Sequence, residues 1–341
     1  YLQFYDYIVA LFLPLFKNKF FKKRFIFNYI DITQLLKNEY YQKRFNSSSF
    51  QGYLNYLFLK RVKNNKIDIS LAVNWFENQP IDRGFNLGLK KYYPETSVIG
   101  YQGFILPYNY NFHLMPIKKE LITGQIPNTI YVIGKNLVSI MKKYCQELNV
   151  KTAPAFRFEH IYKNSKKPSN GYTVLVPLPI SFDESYSLIK LVIEVHEKLK
   201  KNDIRWIIKP HPSLDYEKLK MSFKKWPNNF EENQDKFSNC LLSTSIIIGG
   251  SSSTAMEALT YGIPVIISCS RNSIIKNPIP TLIPKTIWGS CYTPNECINE
   301  LNRLLFETDD LTKRKQNEIG KDIKENYFEP ITREKTSAFF S

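Results

Sequence analysis

Two stretches of this chain place polar side chains directly after apolar runs that are typical of buried strands. In the first, Lys-Pro-His-Pro at 209–212 follows the run 204–208. In the second, Gly-Gly-Ser-Ser-Ser-Thr at 249–254 follows the run 246–248. Open parallel sheets bind their ligands at the carboxyl ends of the strands. The two stretches therefore predict one nucleotide-binding site at the edge of a parallel sheet.

The second stretch has the features of a phosphate site. Gly249 and Gly250 let the backbone turn tightly and approach a ligand closely. A helix is predicted to begin next, and the unpaired N–H groups and positive dipole end of a helix start favour an anion. The residues that would contact this anion are Ser251, Ser252, Ser253 and Thr254. Glu257 lies about one turn into the helix, where it can accept hydrogen bonds from a ribose.

The first stretch supplies basic groups. Lys209 and His211 leave the carboxyl end of their own strand, and the prolines on either side of His211 restrict the direction of its imidazole. Each stretch alone has an ordinary explanation, because a serine-rich helix start is commonly a cap and a histidine after a strand is commonly structural. Together, at this spacing, they resemble the carboxyl-terminal domain of a GT-B glycosyltransferase, which implies a nucleotide-activated sugar as donor.

Two other places put carboxylates after predicted strands. Glu77 follows the strand predicted at 67–73, beside two aromatic residues that could raise its pKa and make it a general acid or base. The alternative is a solvated loop glutamate. Asp183 and Glu184 follow the strand predicted at 172–176. They are either acids at a helix N-terminus or groups that reach the anomeric carbon of a sugar.

The order of patterns predicts an α/β fold with two domains. Strands alternate with helices in the first half of the chain, and a βαβ unit with parallel strands is predicted at 246–268. We expect a Rossmann-like acceptor domain at 1–160, a polar linker at 161–171 and a Rossmann-like nucleotide-sugar domain at 172–325. A C-terminal helix at 326–341 is expected to cross back to the first domain.

Local signals predict further elements. A helix is expected at 186–200, and strands are expected at 153–158 and near 240–242. Thr293 and Glu296 have the spacing of a capping box with proline between them, which predicts a helix that begins there and runs to about residue 306.

The charge balance points to anionic partners. The 341 residues include 47 Lys and Arg against 31 Asp and Glu, a formal net charge of +16. Such a charge suits nucleic acid, an anionic membrane face or an acidic small substrate. No stretch matches a nucleic-acid-binding module and the basic residues are spread along the chain, so nucleic acid is not expected as a partner. An anionic donor and the inner face of a membrane explain the charge more simply.

The first residues are aromatic and basic. Residues 8–16 are apolar but too short to cross a membrane, and no cleavage site of a signal peptide follows. They form either a helix packed on the first domain or an interfacial segment. In the second case apolar side chains would face lipid and basic ones the headgroups: Phe12, Leu13, Leu15, Phe16, Lys17, Lys19, Lys22, Lys23 and Arg24.

The cysteines indicate a reducing compartment. The chain has five, an odd number, and none forms a CxxC pair. This pattern predicts reduced thiols in a cytosolic protein, without a structural zinc site.

Taken together, four places resemble one family, the bacterial retaining β-Kdo transferases. These enzymes have the GT-B fold and use CMP-Kdo to build capsule linkers and O-antigen. The resemblance spans residues 69–306 and is carried by Glu77, by Asp183 with Glu184, by the motif at 209–212 and by the turn and helix at 251–257. The Lys-Pro-His-Pro motif is also similar to that of sialyltransferase-like enzymes and of glycerophosphotransferases.

The resemblance implies a fold and a set of roles. Two parallel sheets would face a central cleft. Asp183 would be the nucleophile that forms a covalent glycosyl adduct, and Glu77 would be the acid/base toward the hydroxyl of a glycan or glycolipid acceptor. His211 and Lys209 would stabilise the departing CMP phosphate, helped by the serines of the turn. Glu257 would hold the ribose, and neither a metal nor another cofactor would be required.

One position departs from the family, and other functions stay open. Glu184 stands where a second aspartate is expected, and its longer side chain would displace an attacking oxygen if it faced the sugar. The alternatives are an inverting transferase that uses CMP-sialic acid or another nonulosonate, and a CDP-glycerol glycerophosphotransferase of the same fold. A non-catalytic scaffold subunit is a third alternative.

Overall fold

The computed structural model describes residues 1–12, 24–43, 46–105, 114–164, 171–199, 203–250, 252–270 and 277–340. These residues form two compact units. The first unit contains the described residues of 1–102, 114–132 and 137–152, and the second contains those of 103–105, 133–136 and 153–340.

Up to residue 152, the described elements are α1 (Phe4–Phe12), β1 (Ile26–Phe27), β2 (Ile30–Asp31), α2 (Thr33–Lys43), α3 (Ser47–Asn64), β3 (Leu71–Trp75), α4 (Pro80–Tyr92), β4 (Ser97–Gln102), α5 (Lys118–Thr123), β5 (Thr129–Val132), α6 (Lys135–Met141) and β6 (Val150–Thr152).

From residue 153 on, they are a 3₁₀ turn (Phe156–Phe158), α7 (His160–Lys163), β7 (Tyr172–Pro177), α8 (Phe182–Leu199), β8 (Ile204–Lys209), α9 (Tyr216–Met221), β9 (Phe230–Glu232), α10 (Phe237–Leu241), β10 (Ile246–Gly249), α11 (Thr254–Thr260), β11 (Val265–Ser268), β12 (Trp288–Cys291), α12 (Pro294–Leu301), a π-helical turn (Asn302–Phe306), α13 (Asp310–Tyr327) and α14 (Arg333–Phe340).

The first unit is built on a four-stranded sheet of order β3-β4-β5-β6. Every neighbouring pair in it is parallel. Leu59 of α3 and Leu89 of α4 pack with Ala72 of β3 and Val98 of β4 in one apolar cluster. This packing fixes β3, and hence the position of Glu77 just beyond its carboxyl end.

Helices α3 and α4 approach each other closely at two glycines. A Cβ atom on Gly84 would lie 1.9 Å from the backbone oxygen of Gly52, and one on Gly52 would lie 2.4 Å from the backbone oxygen of Pro80. No side chain fits in these places, because the blocking atoms are backbone and cannot rotate away. The glycines therefore set the position of α4, which begins three residues after Glu77.

Gly84→Ala is expected to destabilise the protein by about 3 kcal/mol, because the added methyl group forces the two helices apart. Thermal unfolding followed by circular dichroism should show a melting temperature lowered by several degrees. The matched control is Gly250→Ala, where an added Cβ atom meets nothing within 4 Å. Equal melting temperatures for the two variants would contradict the close helix approach.

The second unit is built on a six-stranded sheet of order β12-β11-β10-β7-β8-β9, also parallel throughout. Counted from the first strand of the unit, this is the doubly wound order of Rossmann folds. Both faces of the sheet are buried, with Val176 and Ile248 on one face and Leu175 and Ile247 on the other. The prediction of parallel α/β layers is confirmed. The strand order reverses between β7 and β10, which is where such sheets bind ligands.

A second pair of glycines fixes α11 against α13. A Cβ atom on Gly320 would lie 2.7 Å from the backbone nitrogen of Gly262 and 2.7 Å from the backbone oxygen of Leu259. Gly262 itself has a φ of 68° and ends the turn after α11. A side chain there would also lie 2.3 Å from Oδ1 of Asn317. The helix that carries Glu257 is therefore held in backbone contact with its neighbour.

Several local elements differ from the sequence-based expectations. The predicted strand at 153–158 is wrong: β6 ends at Thr152, and Pro154 with its lack of an N–H precedes a 3₁₀ turn. The predicted strand near 240–242 is also wrong, because Cys240 lies in α10. Helix α8 begins at Phe182 rather than at 186. The capping pattern before α12 is confirmed, since Oγ1 of Thr293 accepts from the N–H of Glu296.

The chain around residue 160 packs against the end of α13. Ile161 is fully buried, and the hydroxyl of Tyr162 donates to the backbone oxygens of Lys324 and Phe328. The N–H of Glu329 donates to the backbone oxygen of Ile133, a residue of the same unit. The first residues of the predicted linker are thus part of the packed second unit.

Helix α1 is fastened to α3 but leaves apolar side chains in water. The guanidinium of Arg61 lies 2.9 Å from the carboxylate of Asp6, and this pairing lowers the pKa of that carboxyl group. Phe4, Leu11 and Phe12 are exposed. Of the interfacial segment considered above, 13–23 lie outside the described residues. No helix within the described ranges is long and apolar enough to span a membrane.

Candidate functional site

The carboxyl ends of three adjacent strands meet at the point where the strand order of the second unit reverses. Pro177, the last residue of β7, pairs with Lys209, the last residue of β8. On the other side of β7, a Cβ atom on Gly249 at the end of β10 would lie 3.4 Å from Cγ of Pro177. Neighbouring strands are about 4.8 Å apart. The residues that follow these strands therefore share one edge of the sheet.

The described residues of the stretch after β10, Gly250 and Ser252 to Thr254, are called here the serine turn. The N–H of Ser252 donates to the backbone oxygen of Gly250, and the N–H of Thr254 donates to Oγ of Ser252 at 3.4 Å. Two of the N–H groups expected to be free for an anion are therefore engaged. The Ser252 hydroxyl accepts this bond, so its own hydrogen remains available to a ligand. Ser251 lies outside the described residues.

The helix after the serine turn is short. It has seven residues, so its summed dipole is small compared with that of a long helix. The N–H of Glu257 donates to the backbone oxygen of Ser253, as expected one turn into the helix. The space beside Gly250 is open, because a Cβ atom added to this glycine would meet nothing within 4 Å. A ligand can approach the backbone there.

His211 is held in one orientation beyond β8. Its Nδ1 accepts a hydrogen bond of 3.1 Å from the N–H of Ser213, so the neutral ring carries its proton on Nε2. Its backbone oxygen accepts from the N–H of Leu214. The imidazole is half-buried, and Nζ of Lys209 lies 3.4 Å from the backbone oxygen of Pro210. Both side chains can donate to an anion at this edge.

Asp183 and Glu184 lie in the first turn of α8, on the same edge. Both are exposed. Their backbones are fixed by serines: the N–H of Glu184 donates to Oγ of Ser181, and Oγ of Ser187 donates to the backbone oxygen of Asp183. Two acids at a helix start are also what stabilisation of the helix dipole predicts. The location therefore fits either of the two roles considered from the sequence.

Glu257 is mostly buried and has a partner that sequence reasoning did not find. Its Oε2 lies 3.0 Å from Nε2 of His160, which is 97 residues away in sequence. Tyr261, one turn further along, donates its hydroxyl to the backbone oxygen of His160. Burial raises the pKa of this tyrosine to about 12, so the hydroxyl keeps its proton. No local motif marks His160, because only the tertiary fold brings α7 to α11.

In the first unit, Glu77 is oriented by its immediate neighbours. Its Oε1 accepts from Nε1 of Trp75 at 2.8 Å, and its Oε2 accepts from Nε2 of Gln79 at 2.7 Å. The aromatic ring of Trp75 is 41% exposed, whereas Phe76 points into the core and is fully buried. The carboxylate of Glu77 is therefore hydrogen-bonded to polar groups rather than packed against an apolar face.

The loop that carries Glu77 rests on a buried carboxylate. Oδ2 of Asp82 accepts hydrogen bonds of 3.0 Å from the N–H groups of both Glu77 and Gln79. Burial raises the pKa of Asp82, and the nearby charge of Glu77 adds to the effect. Asn78 has a φ of 52°, and its amide donates to Glu120. This network holds the loop in a tight turn and aims Glu77.

The predicted site residues thus divide between the units. Glu77 belongs to the first unit. The second unit contains the serine turn together with Asp183, Lys209, His211 and Glu257. Among the residues that the structure describes, no group of three or more His, Cys, Asp or Glu side chains is arranged to hold a metal ion. The five cysteines are free thiols.

Known proteins resemble this chain in fold. No protein-family model and no curated protein matches it by sequence. The S. aureus MnaA–UDP co-structure matches with a TM-score of 0.52 and 12% identity, over 95% of this chain and 91% of that one. UDP-GlcNAc 2-epimerase of Methanocaldococcus jannaschii, in complex with UDP-GlcNAc and UDP, matches with 0.52 and 12%, over 80% and 79%. The glycosyltransferase SnogD from Streptomyces nogalater matches with 0.53 and 11%, over 86% and 77%.

These matches establish the fold. Their sequence identities are too low to transfer an activity, and one of the three proteins is named as an epimerase rather than a transferase. The chain has the α/β architecture of GT-B glycosyltransferases. Its strand and helix patterns predicted the α/β layers, and the resemblance of its motifs implied the GT-B fold.

Proposed function

We propose that this chain is a glycosyltransferase that moves a 2-keto acid sugar, Kdo, from CMP-Kdo to a glycan or glycolipid acceptor in surface polysaccharide biosynthesis. The observation that carries the proposal is the edge at the strand-order reversal. There β10, β7 and β8 bring together the serine turn, Asp183 and the Lys209–His211 pair. Ligands of doubly wound sheets bind at this position.

The groups at this edge suit a donor with a single phosphate. Nε2–H of His211, Nζ of Lys209 and the hydroxyls of the serine turn can donate to the phosphate of CMP as it leaves. Glu257 would accept from the ribose. A nucleoside monophosphate develops less charge than a diphosphate, so these protein donors would stabilise it and the reaction would need no metal.

The proposed chemistry is a double displacement. A carboxylate oxygen of Asp183 attacks C2 of Kdo, the bond from C2 to the phosphate oxygen breaks, and CMP leaves with the electron pair. Glu77 then takes the proton of the acceptor hydroxyl, whose oxygen attacks C2 and releases the carboxylate of Asp183. Two inversions at C2 give retention.

We place the reaction in the cytoplasm, at the inner face of an anionic membrane. The net charge of +16 and the exposed apolar side chains of α1 suit peripheral contact with such a surface.

A UDP-activated sugar is the rival donor, favoured by the UDP bound in two of the proteins with this fold. Two alternative enzymes would use a different reaction: an inverting CMP-sialic acid transferase and a CDP-glycerol glycerophosphotransferase. All four donors can be compared directly by incubating the protein with CMP-Kdo, CMP-sialic acid, UDP-GlcNAc or CDP-glycerol and following nucleotide release.

With CMP-Kdo we expect CMP release and, in intact-protein mass spectrometry, an added mass of one Kdo residue. Peptide mapping should place the added mass on the peptide that contains Asp183. CMP release without an adduct would favour an inverting enzyme. Release from UDP-GlcNAc or CDP-glycerol, with none from CMP-Kdo, would replace the proposed donor.

A further inference from the structure

The carboxylate of Glu257 is fixed at one oxygen before any ligand binds. Its Oε2 lies 3.0 Å from Nε2 of His160, and only 11% of the Glu257 side chain and 22% of the His160 side chain are exposed. A carboxylate with so little access to water requires a hydrogen-bond donor. The imidazole of His160 supplies it from a separate element, α7, and this leaves Oε1 of Glu257 to accept from elsewhere.

His160 is itself anchored independently of the serine turn. The hydroxyl of Tyr261 donates to its backbone oxygen at 2.9 Å. The neighbouring residues of its segment are tied to the end of α13, since Tyr162 donates to the backbone of Phe328 and the ring of Phe158 packs on that of Phe328 at a centroid distance of 5.0 Å. The donor nitrogen therefore has a fixed position.

We propose that His160 is a positioning residue for the donor nucleotide. Its Nε2–H holds Oε2 of Glu257 so that Oε1 faces the ribose hydroxyls. The inference rests on the proposed function, because it needs a ribonucleotide at the strand-order reversal. A carboxylate that is already oriented loses less conformational freedom on binding, which raises affinity without adding a contact to the ligand.

The test compares two ligands that differ only in the ribose hydroxyls, CMP and 2′,3′-dideoxy-CMP. Calorimetry on the full chain gives the Kd of each for the wild type, Glu257→Gln, His160→Leu and His160→Gln. UDP and 2′,3′-dideoxy-UDP replace this pair if UDP binds the wild type more tightly. Lys163→Ala is the matched control, because Lys163 is exposed on the same short helix and pairs only with Glu159 among the described contacts.

For His160→Leu we expect a Kd for CMP about tenfold higher and a Kd for dideoxy-CMP changed less than about threefold, since the loss of one oriented hydrogen bond is of that size. His160→Gln should keep most of the affinity, because its amide can donate to Oε2. Lys163→Ala should bind both nucleotides like the wild type. Equal losses for the two ligands would show a general packing role and would overturn the proposal.

Failure of the inference can be told from failure of the proposed function. Suppose that Glu257→Gln weakens binding of CMP but not of dideoxy-CMP, while His160→Leu changes the binding of neither. The ribose site is then supported and the positioning role of His160 is wrong. If Glu257→Gln weakens both ligands equally, or if no nucleotide binds the wild type, the proposed ribose site is wrong and the inference is wrong as well. Should His160→Leu not fold, Tyr261→Phe releases the anchor of His160 and must weaken CMP selectively.

Discussion

Asp183→Asn is expected to abolish the covalent adduct and to lower transfer from CMP-Kdo by at least about 10³-fold, with the Kd for CMP unchanged. The amide has the size of the carboxylate but cannot attack C2. Asp183 is exposed in the first turn of α8, where asparagine is also accepted by the helix, so the fold should be preserved. Initial rates of CMP release and calorimetry with CMP measure the two quantities.

The matched control is the adjacent acid. Glu184→Gln removes the same charge from the same helical turn and should leave transfer within about threefold of the wild type, because a surface charge change alone has small effects. If Glu184→Gln abolishes the adduct while Asp183→Asn keeps it, the nucleophile is Glu184. If both variants transfer normally, the double displacement is wrong.

Glu77→Gln is expected to slow the second half of the reaction more than the first. Departure of CMP needs little proton transfer, whereas attack by the acceptor hydroxyl requires a base. The Kdo adduct should therefore accumulate in the presence of acceptor, with overall transfer lowered by about 10²- to 10⁴-fold. Quenched-flow sampling followed by intact-protein mass spectrometry measures the occupancy of the adduct with time.

Two comparisons make the Glu77 result specific. Glu95→Gln, an exposed carboxylate of the same unit, should turn over like the wild type. The glutamine at 77 can still accept from Trp75 at its amide oxygen, so the loop should keep its shape. A variant that forms no adduct at all would assign Glu77 to the first step, and a fully active one would remove it from the mechanism.

Much of the second unit was predictable because its signals are local. The βαβ unit of β10, α11 and β11 follows from an apolar run, two glycines and a helix that ends shortly before Gly262. The start of α12 follows from Thr293 and proline at the first helical position. Where a short run of residues determines the backbone conformation, that conformation can be predicted from the sequence alone.

Other features depend on contacts that no local pattern encodes. Cys240 lies in a short apolar stretch whose pattern fits either a strand or a helix. Tertiary packing selects the helix, α10. The pairing of Glu257 with His160 joins residues from separate elements. The edge where the candidate residues meet could be expected from their strand exits, but the order of β10, β7 and β8 that makes them neighbours comes from the sheet topology.

The backbone contact between Gly262 and Gly320 limits how the donor half of the protein can be redesigned. Because α11 rests directly on α13, it cannot move toward α13 to admit a bulkier nucleotide, and a larger residue in place of either glycine would only add a clash. A directed-evolution campaign for a new donor should therefore recover substitutions in the serine turn, with the two glycines retained in every active clone. Loss of either glycine from an active clone would contradict this contact.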